Sequence, residues 1–163
     1  MTTNSVQAAL PMVAWSRIFS PMAPEELRRE AWEALELPED FEQCRSEFWT
    51  TFLVGNPMPL VSLLLHSQLN LEGDPTRADF IQLMTHLELE WNDMHVPPDQ
   101  LGAACEIYAC AIEREESVLI YEIRERYLLP WCAKAKSQLM LNGSSLCFIS
   151  EQFAEDLNAV RNP

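Results

Sequence analysis

The chain has 163 residues, of which 48% are hydrophobic; this is enough for one domain with a sizeable core and excludes a disordered chain. Its 25 acidic and 11 basic side chains give a net charge of −14. Such a surface repels phosphate, which argues against nucleic acid as the partner. It suits a partner segment rich in arginine or lysine, although a high charge also serves solubility alone.

Composition and proline placement predict an all-α fold. The chain has only 4 glycines and is rich in leucine, alanine and glutamate, which favour helix over strand. Several prolines stand just ahead of helix-period apolar patterns, where a missing N–H costs least: Pro24, Pro38, Pro75, Pro98 and Pro130. We therefore expect a single-domain helical bundle over residues 1–163, with about seven to nine helices.

The first third of the chain predicts helices and a loop. Apolar residues at helical spacing place helices, in chain order, at about 5–19, 24–35 and 39–52. Pro11 either kinks the first helix or marks its start. The loop 54–59 follows, and the apolar run 60–65 fits either a short helix or an extended segment.

The remainder predicts further helices. Their expected starts are Pro75 with Asp74 as its cap, Asp99, about Val118, Trp131, and Ser144 or Ser145. The helix from Val118 is expected to bury Tyr121 and Leu128 on one face and to be interrupted by Pro130.

The cysteines and the apolar segments bear on the compartment. Five cysteines, an odd number without a CxxC pair, predict reduced, buried thiols and no zinc site. The N-terminus shows neither a basic leader nor a small-residue cleavage site. Residues 48–71 lack charge but contain too many prolines and polar side chains to span a membrane. We expect a cytoplasmic protein that does not insert into membranes.

The chain lacks the sequence signatures of common enzymes. It has no G-x-S-x-G, no phosphate-binding glycine loop and no H-E-x-x-H. Carboxylate pairs such as Glu115 and Glu116 could serve as acid and base, but on a helix such pairs are typical of a solvated face. We expect no catalytic residue, metal or cofactor, and keep an unrecognised enzyme as a third hypothesis.

Two segments are dense in uncommon features: Pro97-Pro98-Asp99-Gln100-Leu101-Gly102 and Tyr127-Leu128-Leu129-Pro130-Trp131-Cys132. Asp99 is placed to cap the helix that follows it. Gly102 permits close approach of another chain segment. Pro130 predicts a helix break that fixes Trp131 in the core. These structural roles alone would account for both segments.

The same two segments carry a family resemblance. Pro-x-Asp-His, an apolar residue and Gly, followed by Leu/Phe-Pro-Trp in the next helical hairpin, is similar to the signature of the TorD/DmsD/NarJ family of redox-enzyme maturation proteins. A weaker match runs through Trp49 and Phe52 to Pro59 and Leu60, so that the resemblance covers about residues 41–139. Gln100 stands where the family has histidine; an amide keeps hydrogen bonding but cannot titrate.

The resemblance implies an all-α cytoplasmic chaperone that is not an enzyme. Its partner would be a molybdopterin oxidoreductase catalytic subunit or the twin-arginine signal peptide of that subunit. Some members of the family bind guanine nucleotide, but no nucleotide loop is present here. Apart from the resemblance, the long loops 54–59 and 92–98 can exchange elements between chains, so a homodimer is an alternative to a monomer. The alternative is a general helical adaptor that recognises a folded partner.

A receptor for two arginines followed by an apolar stretch needs carboxylates and an apolar groove. We expect Asp99, with Glu106 or Asp93, to face the arginines and Gln100 to bond the peptide backbone. Aromatic and apolar side chains would line the groove, although a core position is the alternative for each aromatic residue. The expected peptide-binding residues are Asp99, Gln100, Pro98, Trp49, Phe52, Pro59, Leu60, Glu106 and Trp131.

Overall fold

The computed structural model describes residues 3–91 and 95–161. Within these ranges every regular element is helical, apart from one isolated bridge between Leu64 and Gln100. The predicted all-α, single-domain fold is confirmed. None of the helices in these ranges has the length and apolar character needed to cross a bilayer.

The helices are α1 (Thr3–Phe19), α2 (Glu25–Ala34), α3 (Phe41–Phe48), α4 (Leu65–Gln68), α5 (Gly73–His86), α6 (Leu101–Glu113), α7 (Ser117–Ile123), α8 (Leu129–Leu141) and α9 (Cys147–Ala159). Two π-helical turns extend them: π1 (Trp49–Leu53) follows α3, and π2 (Arg124–Leu128) joins α7 to α8. With α7, π2 and α8 taken as one unbroken run, the described ranges hold eight helices, as predicted. The run 60–65, for which helix and extended segment were both open, is non-helical up to Leu64.

Helices α1 and α6 pack against each other at the centre of the fold. Helix α1 passes through Pro11 without ending there, and α6 buries nearly all of its residues. A Cβ on Gly102 would lie 2.9 Å from the Ser16 carbonyl oxygen and 3.0 Å from the Ser20 nitrogen. The prediction that Gly102 permits close approach is confirmed.

An aromatic cluster fills the core around Phe19. Its ring centroid lies 5.3 Å from those of Trp131 and Phe153, 5.4 Å from that of Trp15 and 6.4 Å from that of Phe52. Such separations suit aromatic pairs, which dominate core energetics. Phe52 and Trp131 are therefore core residues.

The predicted helix break at Pro130 is wrong. The backbone stays helical from Ser117 to Leu141, and Pro130 is the second residue of α8. Proline lacks the N–H that an α-helix needs at that point, and π2 just before it shifts the hydrogen bonds to a wider register, so that Leu129 N–H reaches Arg124 O. The helical run therefore continues past Pro130.

The predicted apolar face of α7 is also wrong. Val118 and Tyr121 are 70% and 51% exposed, whereas Ile120 and Ile123 are buried. The residues that point inward are shifted along the helix relative to the pattern chosen from the sequence. Leu128, the third predicted member, is buried in π2.

Three helices end on a glutamate in the left-handed region. Glu36, Glu88 and Glu115 follow the C-caps of α2, α5 and α6, with φ of 51°, 55° and 58°. In each case the next residue donates its N–H to a carbonyl five residues earlier, as Leu37 does to Trp32. This is the Schellman ending, which most often has glycine at the left-handed position.

The cysteines are free, as predicted, but not all are buried. Cys44, Cys105 and Cys132 are buried, while Cys110 and Cys147 are partly exposed. Burial raises the pKa of the Cys105 and Cys132 thiols well above the ordinary value. These two thiols are therefore held in the unreactive protonated form.

Candidate functional site

The two motif segments meet on one short stretch of chain, residues 61–65. Leu101 N–H donates to the Leu63 carbonyl at 2.7 Å, and Leu65 N–H donates to the Asp99 carbonyl at 2.9 Å. From the other motif, Trp131 Nε1 donates to the Ser62 carbonyl at 2.9 Å. Both motifs thus fasten the segment that follows the loop 54–59. The two motifs could be recognised in the sequence, but their shared contacts with residues 61–65 could not be predicted from it.

Asp99 lies inside the protein, with none of its surface exposed. Its Oδ2 accepts the His66 backbone N–H at 3.1 Å and lies 2.5 Å from His66 Nδ1. Its Oδ1 has no hydrogen-bond partner in the described ranges, but it lies 3.6 Å from Arg77 Nε. The carboxylate is therefore compensated by the protein itself. The expectation that Asp99 faces a peptide at the surface is not met.

Gln100, not Asp99, caps α6. Its Oε1 accepts the Ala103 N–H at 3.1 Å, and its Nε2 donates to the Phe19 carbonyl at 2.7 Å. An amide carries both a donor and an acceptor, so one side chain joins the end of α1 to the start of α6. The amide oxygen and nitrogen of Gln100 both have partners within the protein, and the residue is buried. The expectation that Gln100 bonds to a peptide backbone is therefore not met either.

The remaining expected contacts separate into different places. Phe52 and Trp131 are 2% and 0% exposed, so they belong to the core and do not line a groove. Glu106 is exposed and lines a groove with Arg17. Asp99 is buried and does not line that groove. Pro98 is half-buried just before Asp99. Asp93 lies outside the described residues.

Exposed apolar side chains lie on π1 and on the loop that joins it to residues 61–65, and we call this set the apolar loop surface. Trp49 is 46% exposed, Val54 55%, Met58 71% and Leu60 37%, and Pro59 is half-buried. Trp49, Pro59 and Leu60 were expected there. Val54 and Met58 were missed, although apolar residues beside a Gly-Asn-Pro turn are a signal for exposure.

The apolar loop surface is built on a fixed backbone. Val54 N–H donates to the Trp49 carbonyl at 2.9 Å, and Val61 N–H donates to the Thr51 carbonyl at 3.1 Å. A Cβ on Gly55 would lie 2.0 Å from the Met58 carbonyl oxygen, so that only glycine fits. The apolar side chains are therefore presented by a defined turn.

A second surface, the α2–α3 groove, joins the end of α2 to the start of α3 and has a volume of about 420 Å³. It is lined by Arg29, Trp32, Glu33, Glu36, Leu37, Pro38, Glu39, Asp40, Phe41 and Glu42. Five of these side chains are carboxylates, and the floor is aromatic and aliphatic. Sequence reasoning missed this groove because no motif runs through it.

Comparison of the chain with protein-family models, with curated proteins and with solved structures gives no match in any of the three.

The Asp99–His66 pair has the contact that orients an imidazole in hydrolases, but no hydroxyl or thiol within the described ranges hydrogen-bonds to the His66 ring. No group of three or more metal-ligating side chains is found in those ranges either. The pair holds the start of α4 against the start of α6.

Proposed function

We propose that the protein is a cytoplasmic chaperone that binds the twin-arginine signal peptide, or the apo form, of a molybdenum-cofactor oxidoreductase and assists its maturation before export or assembly. The resemblance over residues 41–139 suggests this class of function. The observation that carries the proposal is the apolar loop surface, displayed in a fixed conformation on a chain whose net charge is −14.

An exposed, ordered group of large apolar side chains is typical of an interaction surface, because water disfavours it unless a partner covers it. A twin-arginine signal peptide supplies an apolar stretch to cover Trp49, Met58 and Leu60, and two cations that an acidic chain attracts. In this proposal the two motifs act indirectly: they hold residues 61–65, and through them they position the loop.

The test is peptide binding by fluorescence anisotropy. The probe is a synthetic labelled peptide with Arg-Arg followed by a leucine- and alanine-rich run. The double variant Met58→Ser, Leu60→Ser should weaken the affinity by roughly tenfold or more, since about 1 kcal/mol of apolar burial is lost at each position. The matched control is Val118→Ser, Tyr121→Ser, which removes two exposed apolar side chains from α7 and should leave the affinity unchanged.

The outcomes separate the hypotheses. Binding of the Arg-Arg peptide that weakens when Lys-Lys replaces the pair supports a signal-peptide chaperone, because guanidinium forms bidentate bonds that ammonium cannot. No binding to either peptide rejects the proposal. Capture of the mature oxidoreductase subunit lacking its signal peptide, with no affinity for the peptide alone, would instead favour the adaptor of folded partners.

A further inference from the structure

We propose that a second groove, between α2 and π1, binds a carboxylate that is carried beside an apolar group. This α2–π1 groove has a volume of about 420 Å³, and its walls include Glu25, Arg28, Arg45, Ser46, Phe48 and Trp49. The proposal goes beyond the proposed function and does not depend on it. The signal peptide would bring cations to the protein, whereas this groove takes an anion.

Arg28 is a buried cation without a counter-charge. The residue is only 6% exposed, and it forms no ion pair with a carboxylate in residues 3–91 and 95–161; the nearby Glu25 pairs instead with Arg29 and Arg45. Burial lowers the pKa of the Arg28 guanidinium, and the charge of Glu25 offsets only part of that effect. An anion bound beside Arg28 would supply the charge that the protein does not.

Two of the three Arg28 nitrogens are held by backbone carbonyls near the end of α1. Nε donates to the Ile18 carbonyl at 3.2 Å, and Nη2 donates to the Ser20 carbonyl at 2.7 Å. These bonds explain why the side chain lies where it does, but neutral carbonyls leave its charge uncompensated.

The third nitrogen, Nη1, has no hydrogen-bond partner among the described residues. In those ranges the fully buried side-chain atoms that lack a partner are Asp99 Oδ1 and Tyr108 Oη, so Arg28 Nη1 keeps some contact with solvent. Because Arg28 lines the α2–π1 groove, an anion in the groove can reach this free donor. A guanidinium nitrogen of this kind bonds most strongly to an ionised acceptor.

The groove is locally positive on a strongly negative chain. Its one carboxylate, Glu25, lies 2.6 Å from Arg45 Nη1 and 3.4 Å from Arg29 Nη2. The groove wall therefore holds two guanidinium groups, of Arg28 and Arg45, against one carboxylate. With a net charge of −14 over the whole chain, this excess is local and favours an anion at this place.

Trp49 determines what the anion must carry with it. Its side chain is 46% exposed and also belongs to the apolar loop surface, whereas Phe48 and Phe41 behind it are buried. A bare inorganic anion would leave the indole ring uncovered, while an aromatic or aliphatic group beside the carboxylate would bury part of it. The volume of the groove is at the small end of the range for ligand sites and suits one such residue.

The experiment is an NMR titration of the full-length, ¹⁵N-labelled protein that follows the Trp49 indole N–H, assigned with Trp49→Phe. One pair of probes is N-acetylphenylalanine and its carboxamide; the other is acetyl-Phe-Glu-amide and acetyl-Phe-Gln-amide. We expect a carboxylate probe to bind with a Kd on the order of 1 mM, at least about fivefold more tightly than its neutral amide.

The two pairs of probes distinguish the sources of the carboxylate. Preference for the acid in the first pair identifies a chain-terminal carboxylate, and preference in the second identifies a glutamate side chain beside an apolar residue. Either result supports the proposal. If neither acid binds, or if both amides bind as tightly as the acids, the groove does not recognise a carboxylate and the proposal is overturned.

A variant tests the site without disturbing the bonds of Arg28 to α1. Ser46→Glu places a carboxylate on the exposed wall of the groove, where it competes for the guanidinium groups. It should bind the preferred acid about fivefold or more weakly than Ser46→Gln, which adds the same bulk without charge.

The matched control for charge is Ser137→Glu, which adds one carboxylate at an exposed position of α8. It should retain the wild-type affinity for the acid within about twofold. Equal affinities of Ser46→Glu and Ser46→Gln, or an equal loss in Ser137→Glu, would contradict the proposal. Because no Arg-Arg peptide is used, these outcomes leave the proposed function to its own test.

Discussion

A single buried carboxylate shows how motif residues act in this protein. Asp99 is fully buried, a position that costs several kcal/mol for an uncompensated charge. Its carboxylate oxygens lie against the His66 backbone N–H, the His66 ring and the Arg77 guanidinium. These groups come from α4 and α5, so the carboxylate joins two helices to the start of α6.

We expect Asp99→Asn to destabilise the fold by about 1–3 kcal/mol, because the amide cannot compensate Arg77 and leaves the partners of Oδ2 poorly satisfied. Urea unfolding followed by circular dichroism measures this. The control Asp74→Asn removes a fully exposed partner of the same Arg77 and should leave the urea midpoint close to that of the wild type.

The same variant decides between the two roles considered for Asp99. Folded Asp99→Asn protein should bind the Arg-Arg peptide within about twofold of the wild type. Unchanged stability with lost binding would return Asp99 to the peptide site.

Sequence reasoning identified Asp99 as important but assigned it the wrong contacts. Asp99 was predicted to cap α6, but the residue that caps it is Gln100. The partners of Asp99 could not be predicted, because His66 precedes it by 33 residues and no local pattern links the two. Burial of this kind depends on how helices pack, which residue spacing alone does not determine.

At the scale of helices, the close contact between α1 and α6 depends on Gly102. Helix α6 contributes ten buried residues to the core. It can pack this closely because the backbone of α1 passes directly over Gly102. An added Cβ would contact the backbone of Ser16 and Ser20, which cannot rotate away as a flexible side chain can.

Gly102→Ala should therefore destabilise the protein by about 1–3 kcal/mol, despite the higher helix propensity of alanine. The matched control is Gly73→Ala in the first turn of α5, where the nearest atoms lie at 3.4 Å and belong to side chains. That variant should be neutral or slightly stabilising. Equal midpoints for the two variants in urea would show that the helices can separate without cost.

The start of a helix could be predicted from the sequence where a proline lies at or just before its first turn. Pro24 directly precedes α2, and Pro75 lies in the first turn of α5. The break predicted at Pro130 was wrong because a helix tolerates proline directly after a π-helical turn. The sequence of π2 carries no pattern from which that turn could have been predicted. The hydrogen-bond register of a helix is set by its packing as well as by its residues.

At the scale of the whole molecule, negative charge dominates. The chain carries 14 more acidic than basic side chains, and its ion pairs cannot neutralise the difference. Self-repulsion of this kind destabilises the compact state, and salt screens it.

Raising NaCl from 20 to 200 mM should raise the thermal midpoint by about 2–4 °C, equivalent to roughly 1 kcal/mol for a chain of this size. Thermal melts followed by circular dichroism measure the shift. The less negative Glu90→Gln, Glu155→Gln protein should show a smaller rise. A midpoint that falls with salt would mean that the surface ion pairs outweigh the repulsion.

Charge and fold class were thus readable from composition, but the candidate site was readable only in part. Trp49, Pro59 and Leu60 were expected at a binding surface and are exposed or half-buried beside Val54 and Met58. The α2–α3 groove arises from a turn between two helices whose glutamates look, in sequence, like any solvated face. Only their shared position on an apolar floor distinguishes them.

The left-handed glutamates at the ends of α2, α5 and α6 set the stability of the fold against its negative charge. A left-handed backbone costs about 1 kcal/mol in any residue but glycine, and a negative side chain adds an unfavourable interaction with the helix C-terminus. Selection for stability alone would replace all three with glycine. At Glu36, that replacement would also remove one of the five carboxylates that line the α2–α3 groove, so the stability of this helix end and the charge of the groove cannot be raised together.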